Sequence, residues 1–453
     1  MNKDINILNR DSIFNPFLKT DIDPKKLIKL FSSKKDTFKS LYYQKLPKKY
    51  QLSEDLKSLI GVLDVHIAKD DFPDFLRALG AICTKTFIGA KRILFDISYS
   101  CNLDCLYCRR HSPINPGDEE KSLPERKHQF FPYEKLLLML NDAQDMMVEE
   151  VLLVGGGEPS IHPQFFDIVK AVKERGFSLS FSTNGLNLTK KLADLVVEQQ
   201  VDNLTVSVSG VSFESYKKTH PSMSQKGFDR LFNNFEYLHS KRRKYIAENK
   251  TEYSKPFCIF LHVITSDNYH EVIDMALIGQ EYGFDTIWYK LVHPSDWSRH
   301  LCLNKEQAKQ VKEDFHYLKK VAPNLKIKID DYMDHEIENL NDTGDWSGYF
   351  HKEKRCFVGW NFSYVDLSTD YSFCCGDKII GQSKDYKDYK SFWVSDEYKR
   401  ARTCGRDFNY GAKNIKGYNG VSIIDDFCKS CDNTNFNEEM EALIKKYNFI
   451  SFL

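Results

Sequence analysis

Between residues 92 and 291, short β-rich runs alternate with stretches whose apolar residues recur near helical spacing. The predicted strands are 92–99, 150–154, 177–182, 203–208, 257–264 and 286–291. Between most of them lie amphipathic segments, EKLLLMLNDAQDM (134–146), PQFFDIVKAVKERG (163–176) and NYHEVIDMALIGQEYG (268–283). The last two end in Gly, a common helix stop. Strands that are apolar throughout and alternate with helices predict a parallel sheet with helices outside it. The pattern leaves two arrangements open, a doubly wound sheet and a barrel or part-barrel. In either, chemistry belongs at the C-terminal ends of the strands.

The flanks read differently. Residues 1–90 form an N-terminal extension with helical character in its second half, DFPDFLRALGAICTKTF, and carry no chemical motif. The α/β region is assigned to 91–295. Residues 296–348 connect it through a helix, a short strand (LKIKID) and a polar linker to a Cys-rich unit at 349–436. Residues 437–453 close the chain as one helix.

Charge narrows the partners. Lys+Arg and Asp+Glu balance at 64 each, so net charge points to neither a nucleic acid nor a membrane surface. Ten Lys fall in residues 18–50, which could form a docking patch but read better as a solvated helix face. No stretch approaches the ~20 apolar residues of a membrane span, and the N-terminus has no signal-like apolar core. A cytoplasmic location is therefore expected. There twelve Cys stay reduced, and metal ligation is favoured over disulfides. The Asn187, Asn203 and Asn361 glycosylation patterns are then coincidental.

Cys101, Cys105 and Cys108 form a C-x3-C-x2-C run directly after the first strand. Three thiolates on one loop can hold three irons of a [4Fe–4S] cluster and leave the fourth open to a small chelating molecule. A zinc site, with His111 as fourth ligand, is the competing reading. Strand two ends in VLLVGGGEPS, where Gly155, Gly156 and Gly157 let backbone groups approach a ligand closely, followed by Glu158 and Pro159.

Together these motifs resemble the radical S-adenosylmethionine (SAM) superfamily over roughly residues 90–295. Its signature is C-x3-C-x2-C with an aromatic before the last Cys, here Tyr107, and a GGE element after strand two. The resemblance implies an α/β fold with a partial (βα)6, TIM-like barrel. It implies SAM bound at the open iron of the first cluster, and a 5′-deoxyadenosyl radical that takes hydrogen from an unactivated C–H bond. Gly156, Gly157 and Glu158 would receive the SAM amino group. The STNG segment, with Ser182, Thr183, Asn184 and Gly185, matches a TNG element near SAM. Ser207 and Ser209 match an S-x-D-G element, with Ser209 standing where Asp is usual.

The C-terminal unit resembles the extension called twitch, a smaller relative of the two-cluster extension SPASM. On that resemblance Cys356, Cys374, Cys428 and Cys431 would ligate an auxiliary [4Fe–4S] cluster, with Cys375 as alternative to Cys374. A structural zinc on the same four positions remains open. Cys404 is spare, and Cys83, Cys258 and Cys302 read as buried apolar residues.

The leading functional reading is an oxidoreductase remodelling a small, sugar-like substrate. It would be fed by a low-potential electron donor such as flavodoxin or ferredoxin. The alternatives are a maturase acting on a ribosomal peptide and a non-enzymatic iron–sulfur or zinc scaffold. An oxidation also needs a base to take a proton. His262, Lys290, His293, Asp296 and Tyr364 are all candidates, and the sequence does not choose among them.

Overall fold

The computed structural model describes residues 72–115, 129–330, 334–346, 355–376, 378–410, 412–425, 428, 431, 434–447 and 449. The Lys-rich segment 18–50 lies outside them. The chain divides into two compact units. One spans Leu94–Leu136 and Glu150–Tyr349; the other gathers Leu137–Glu149 with the described residues before Leu94 and after Tyr349.

In chain order the elements begin with α1 (Phe72–Cys83), β1 (Arg92–Asp96), α2 (Tyr133–Asp145), β2 (Glu150–Val154), α3 (Phe165–Glu174) and β3 (Ser178–Thr183). Next come α4 (Lys190–Glu198), β4 (Asn203–Ser207), α5 (Phe213–Thr219), α6 (Gln225–Asn249), β5 (Phe257–Ile264) and α7 (Val272–Glu281). They continue with β6 (Thr286–Leu291), α8 (Lys305–Val321), β7 (Lys328–Ile329) and α9 (Asp334–Asn339). The C-terminal part holds α10 (Val358–Asn361), β8 (Phe362–Val365), β9 (Tyr371–Ser372), β10 (Ile379–Gly381), α11 (Tyr389–Trp393), α12 (Asp396–Asp407) and α13 (Thr434–Lys446).

Strands β1 to β7 lie side by side in sequence order. Every pairing from β2–β3 to β6–β7 is parallel. That order separates the two arrangements the pattern left open. A doubly wound sheet reverses its strand order at a switch point, whereas repeated right-handed crossovers in one direction put every helix on one face, as in a barrel. The aromatic contacts agree: Phe181 of β3 packs on Phe165 of α3, Phe260 of β5 on Phe235 of α6, and Tyr289 of β6 on Phe315 of α8. Because side chains alternate across a strand, the intervening positions occupy the other face.

Six strands were expected in the α/β region and one more, LKIKID, in the connecting segment; all seven lie in one sheet. The LKIKID segment joins as β7, pairing Lys328 with Thr286 and Ile329 with Ile287. The pattern missed α5 and α6. Helix α6 starts where the Ser224 side chain accepts from the Gly227 N–H. It buries Phe228, Leu231, Phe235, Leu238 and Arg242, a three–four spacing that makes one stripe. Arg242 ends that stripe as a charge, forked onto Asp285 at 2.9 and 2.7 Å, which disguises the stripe in the sequence.

The other unit has its own core. Phe75 of α1 meets Tyr447 edge-on at 5.2 Å and Phe449 at 5.8 Å. The Arg402 guanidinium of α12 lies 4.3 Å from the Trp393 ring and 3.9 Å from that of Tyr398. Strands β8, β9 and β10 form an antiparallel meander. Cys83 of α1 is buried here, as Cys258 and Cys302 are in the barrel-type unit.

Candidate functional site

The floor of the site is built where β1 and β2 end. Past Asp96 the chain turns toward the cysteine loop, and the glycine run bonds back to it. Gly156 N–H donates to Asp96 Oδ1 at 2.8 Å, Gly157 N–H to Ser98 O at 2.8 Å, and Glu158 N–H to Ser100 O at 2.8 Å. Glycine is required at 157, where a Cβ would stand 2.2 Å from Ser100 O and 2.5 Å from Tyr99 O. With these N–H groups taken, what the run can offer an ammonium group is its carbonyl oxygens.

Glu158 does something the motif did not suggest. Its side chain is buried, and both oxygens accept from the protein itself. Oε1 takes Ser160 N–H at 3.1 Å, Ser160 Oγ at 2.5 Å and Thr183 Oγ1 at 2.8 Å, while Oε2 takes Asn184 N–H at 2.8 Å. Burial raises its pKa and the four hydrogen bonds oppose that rise. The carboxylate thus ties the end of β2 to the TNG segment after β3. Asn184 carries the tie onward, its Nδ2 donating to Asn102 Oδ1 at 2.7 Å inside the cysteine loop.

Cys101, Cys105 and Cys108 are all half-buried on this loop. Burial pushes the Cys101 thiol up to about 11, with the Glu158 carboxylate adding to it. Burial pushes Cys105 further up, with Cys108 and Cys101 as charged neighbours. Cys101 and Cys105 are therefore held as neutral thiols, and a metal centre bound here would have to displace their protons. His111, the fourth ligand of a zinc reading, sets its ring edge-on to Tyr99 at 5.2 Å.

Tyr107 brings in residues that the sequence reading did not single out. Its hydroxyl is 3.1 Å from Ser209 Oγ and 3.0 Å from His220 Nε2, and Ser207 is a further hydrogen-bond partner. His220 is 2% exposed and stacks on Tyr216 with ring centroids 3.9 Å apart; burial lowers its pKa to about 4, so it is neutral. The same turn holds the loop twice more, through Leu106 N–H to Thr219 O at 2.8 Å and Ser222 Oγ to Asp104 Oδ1 at 2.6 Å. Ser209, in the place of an Asp, accepts Val263 N–H at 3.1 Å, so a hydroxyl serves where a carboxylate would have added charge. No periodicity marks His220 in the sequence; only the fold brings it to Tyr107.

Register arranges the face away from the helices into rows. Ser182, Thr205 and Ile259 form one, Ser207, Leu261 and Trp288 the next, and Val263 pairs with Lys290 beyond them. Of the candidate bases, Lys290 lies on this face. His262 does not: it pairs with Tyr289 and meets its ring edge-on at 5.9 Å, on the helix-packed side, fully buried with its pKa lowered to about 4 by burial. His293 lies beyond the end of β6 with Nδ1 3.0 Å from Ser295 Oγ, Asp296 is exposed, and Tyr364 belongs to β8 in the other unit.

The second cysteine set is drawn from separate segments of that other unit. Cys356 N–H donates to Gly405 O at 3.0 Å, Cys374 follows β9, and Cys428 N–H donates to Asp425 O at 3.1 Å. Burial pushes Cys356 up to about 12, with Cys374 and Cys428 as charged neighbours, and Cys374 up to about 11. Cys375 and Cys431 are half-buried. Cys404 Sγ lies 3.4 Å from Asn414 Oδ1. Lys378 is 1% exposed, and its Nζ donates to Ile423 O at 2.7 Å, Asp425 Oδ1 at 2.9 Å and Cys428 Sγ at 2.9 Å. Burial pulls its pKa down, but Cys374, Cys428 and Asp425 hold it above the ordinary value. Among the described residues no three His, Cys, Asp or Glu side chains converge tightly enough to cage a single ion.

A singly wound α/β unit with a three-cysteine loop after its first strand and a glycine floor after its second defines a radical SAM domain. Residues 96–277 match the family model of the Radical SAM superfamily, so the chain carries a radical SAM domain, and proteins of that superfamily are enzymes. That class works with SAM and a [4Fe–4S] cluster. A Pyrococcus furiosus protein described as a tungsten-containing aldehyde ferredoxin oxidoreductase cofactor-modifying protein is 26% identical, over 71% of this chain and 85% of its own length. An AdoMet-dependent heme synthase of Methanosarcina barkeri is 27% identical, over 27% of this chain and 32% of its own. Among solved structures, Streptococcus suis SuiB bound to its precursor peptide SuiA superposes with a TM-score of 0.52. That match has 14% identity and covers 75% of this chain and 72% of SuiB, a likeness of fold. No helix among the described residues is long and apolar enough to cross a membrane.

Proposed function

We propose that the enzyme oxidises or remodels an unactivated C–H position of a small polar, sugar-like molecule. Cys101, Cys105 and Cys108 would hold the SAM-binding cluster, and Cys356, Cys374, Cys428 and Cys431 a second, fully ligated [4Fe–4S] cluster. A flavodoxin- or ferredoxin-like donor supplies low-potential electrons. With cluster and SAM bound, the class supplies one-electron cleavage of SAM to methionine and a 5′-deoxyadenosyl radical that takes a hydrogen atom from substrate.

The chain's own residues provide the rest. The Gly156–Gly157 carbonyls suit the SAM ammonium, and Glu158 fixes that floor against Thr183 and Asn184 rather than touching the ligand through its carboxylate. Tyr107, Ser207 and Ser209 close one side. The hydroxyls of Ser182, Thr205 and Ser207 suit a polar substrate, with Lys290 on the same face as the candidate to orient it or take its proton.

The observation that carries this reading is the hydrogen-bonded union of cysteine loop, glycine run and TNG segment through Glu158 and Asn184. The name of the Pyrococcus furiosus relative favours a small organic substrate over a peptide. The test is iron, acid-labile sulfide and zinc per chain after anaerobic reconstitution, with 5′-deoxyadenosine formation from SAM. Wild type is compared with a Cys101/Cys105/Cys108→Ala variant. Two clusters in wild type, one in the variant, and loss of SAM cleavage support the reading. One zinc retained in both proteins overturns the second cluster and moves the search to redox-neutral radical chemistry.

A further inference from the structure

Lys378 is 1% exposed, and among the described residues no lysine at the first cysteine set is buried like it. An ammonium has three N–H donors. Here each has an acceptor: a backbone carbonyl, a carboxylate and a cysteine sulfur. The position is built as well as filled. Lys378 follows the Cys374–Cys375 turn, and Phe373 N–H donates to Lys378 O at 2.9 Å, which closes that turn. Asp425 binds the ammonium and also lies 3.5 Å from Cys428 Sγ, and its carbonyl accepts the Cys428 N–H. The lysine is therefore locked on the same short segment that presents Cys428.

Resting on the four-cysteine cluster reading above, we propose that Lys378 is a tuning residue whose hydrogen bond to Cys428 raises the reduction potential of that second cluster. Hydrogen bonds to the sulfurs, net charge and solvent exposure set iron–sulfur potentials, and partners beyond the ligands do much of that work. Reduction adds one negative charge to the cluster, and a desolvated cation on one of its sulfurs stabilises that charge. The Glu158 carboxylate bears on Cys101 and Asp104 on Cys105 at the first cysteine set, where no hydrogen bond from a lysine ammonium to a cysteine sulfur is found among the described residues. A raised potential at the Cys428 end is what an electron acceptor for substrate oxidation requires. No bond is made or broken at Lys378; the couple concerned is the one-electron reduction of the second cluster.

The experiment uses the full chain in the Cys101/Cys105/Cys108→Ala background, so that the C-terminal set holds the only iron. The protein is reconstituted anaerobically, poised with dithionite and mediators, and the reduced cluster is followed by electron paramagnetic resonance. Lys378→Gln should lower the reduced-to-oxidised ratio at a fixed poise about tenfold, which is ~59 mV for a one-electron couple. Lys378→Arg should stay near the parent, and Asp425→Asn should move the other way. Lys378→Gln titrating with the parent, or Lys378→Arg moving as far as Lys378→Gln, overturns the proposal. If Lys378→Gln fails to load iron, Asp425→Asn decides: a raised potential supports the tuning role and an unchanged one sinks it. Zinc in place of iron in the parent overturns the cluster reading itself; iron with unshifted potential overturns only Lys378.

Discussion

The two cysteine sets are assembled by opposite routes. Cys101, Cys105 and Cys108 sit on one loop, and what the fold adds is bracing from the ends of β2 and β3 and from the turn at Thr219–Ser222. Cys356, Cys374 and Cys428 come from separate segments and meet only when the C-terminal unit packs. The first set is bordered by carboxylates and neutral hydroxyls, the second by an ammonium. A local loop can be braced piecemeal, whereas an assembled site depends on its whole unit and carries a buried charge inside.

The largest break in this comparison should come from Gly157→Ala. A Cβ there collides with two backbone oxygens, so the floor must shift. Misplacement on the ångström scale costs roughly a hundredfold in rate. 5′-Deoxyadenosine formation should fall at least about 100-fold while iron at the C-terminal set is retained, measured in parallel on one preparation. Loss of both would show that the two units do not fold independently.

Glu158→Gln should come next. It replaces one oxygen of a buried carboxylate that accepts four hydrogen bonds by an NH2 group facing a donor, a cost of about 1–3 kcal/mol. The expected result is a lower Tm and a SAM Kd raised more than tenfold, by calorimetry, with the C-terminal iron unchanged. An unchanged Kd would mean that the β2–β3 tie does not shape the SAM site.

Tyr107→Phe is a smaller perturbation. It removes hydroxyl contacts to Ser209 and His220, which are worth about 1 kcal/mol. Cluster content should hold, and SAM affinity should fall severalfold.

The smallest effect concerns the acid behaviour of the C-terminal unit. Burial alone would raise the pKa of Glu439, but hydrogen bonds from Arg92, Lys91 and Asn361 hold it down at about 2. Because the folded value lies below the unfolded one, this stabilisation is full above the ordinary Glu range and is lost as pH falls through it toward 2. After allowance for partial exposure it is on the order of 1 kcal/mol. Glu439→Gln should flatten the fall of Tm between about pH 5 and pH 3. A curve parallel to wild type would refute it.

How much was legible follows the same divide. The strand–helix alternation and the contiguous CNLDCLYC loop are local patterns, and local patterns survive in a linear string. Helix α6 escaped because Arg242 ends its apolar stripe with a charge; β7 was legible as a short strand in LKIKID, but its place in the parallel sheet was not, because two residues make no period. His220, Asn102 and Lys378 act through partners distant in sequence, Tyr107, Asn184 and Cys428, so no spacing rule could find them. His262 looked like chemistry because a histidine in a strand invites it, but strand parity turns it into the helix layer.

The glycine floor also limits how a chain of this design can diversify. Residue 157 admits no side chain, and the amides of Gly156, Gly157 and Glu158 are all committed to the segment that carries the cysteine loop. A single substitution there disturbs both the cysteine loop and the glycine run bonded to it, so the two do not drift one residue at a time. Leu261, Trp288, Val263 and Lys290 are held by strand pairing through their backbones, which leaves the identity of each side chain free to change. On the proposed reading, new substrate preferences would arise at those side chains with the glycine floor inherited intact.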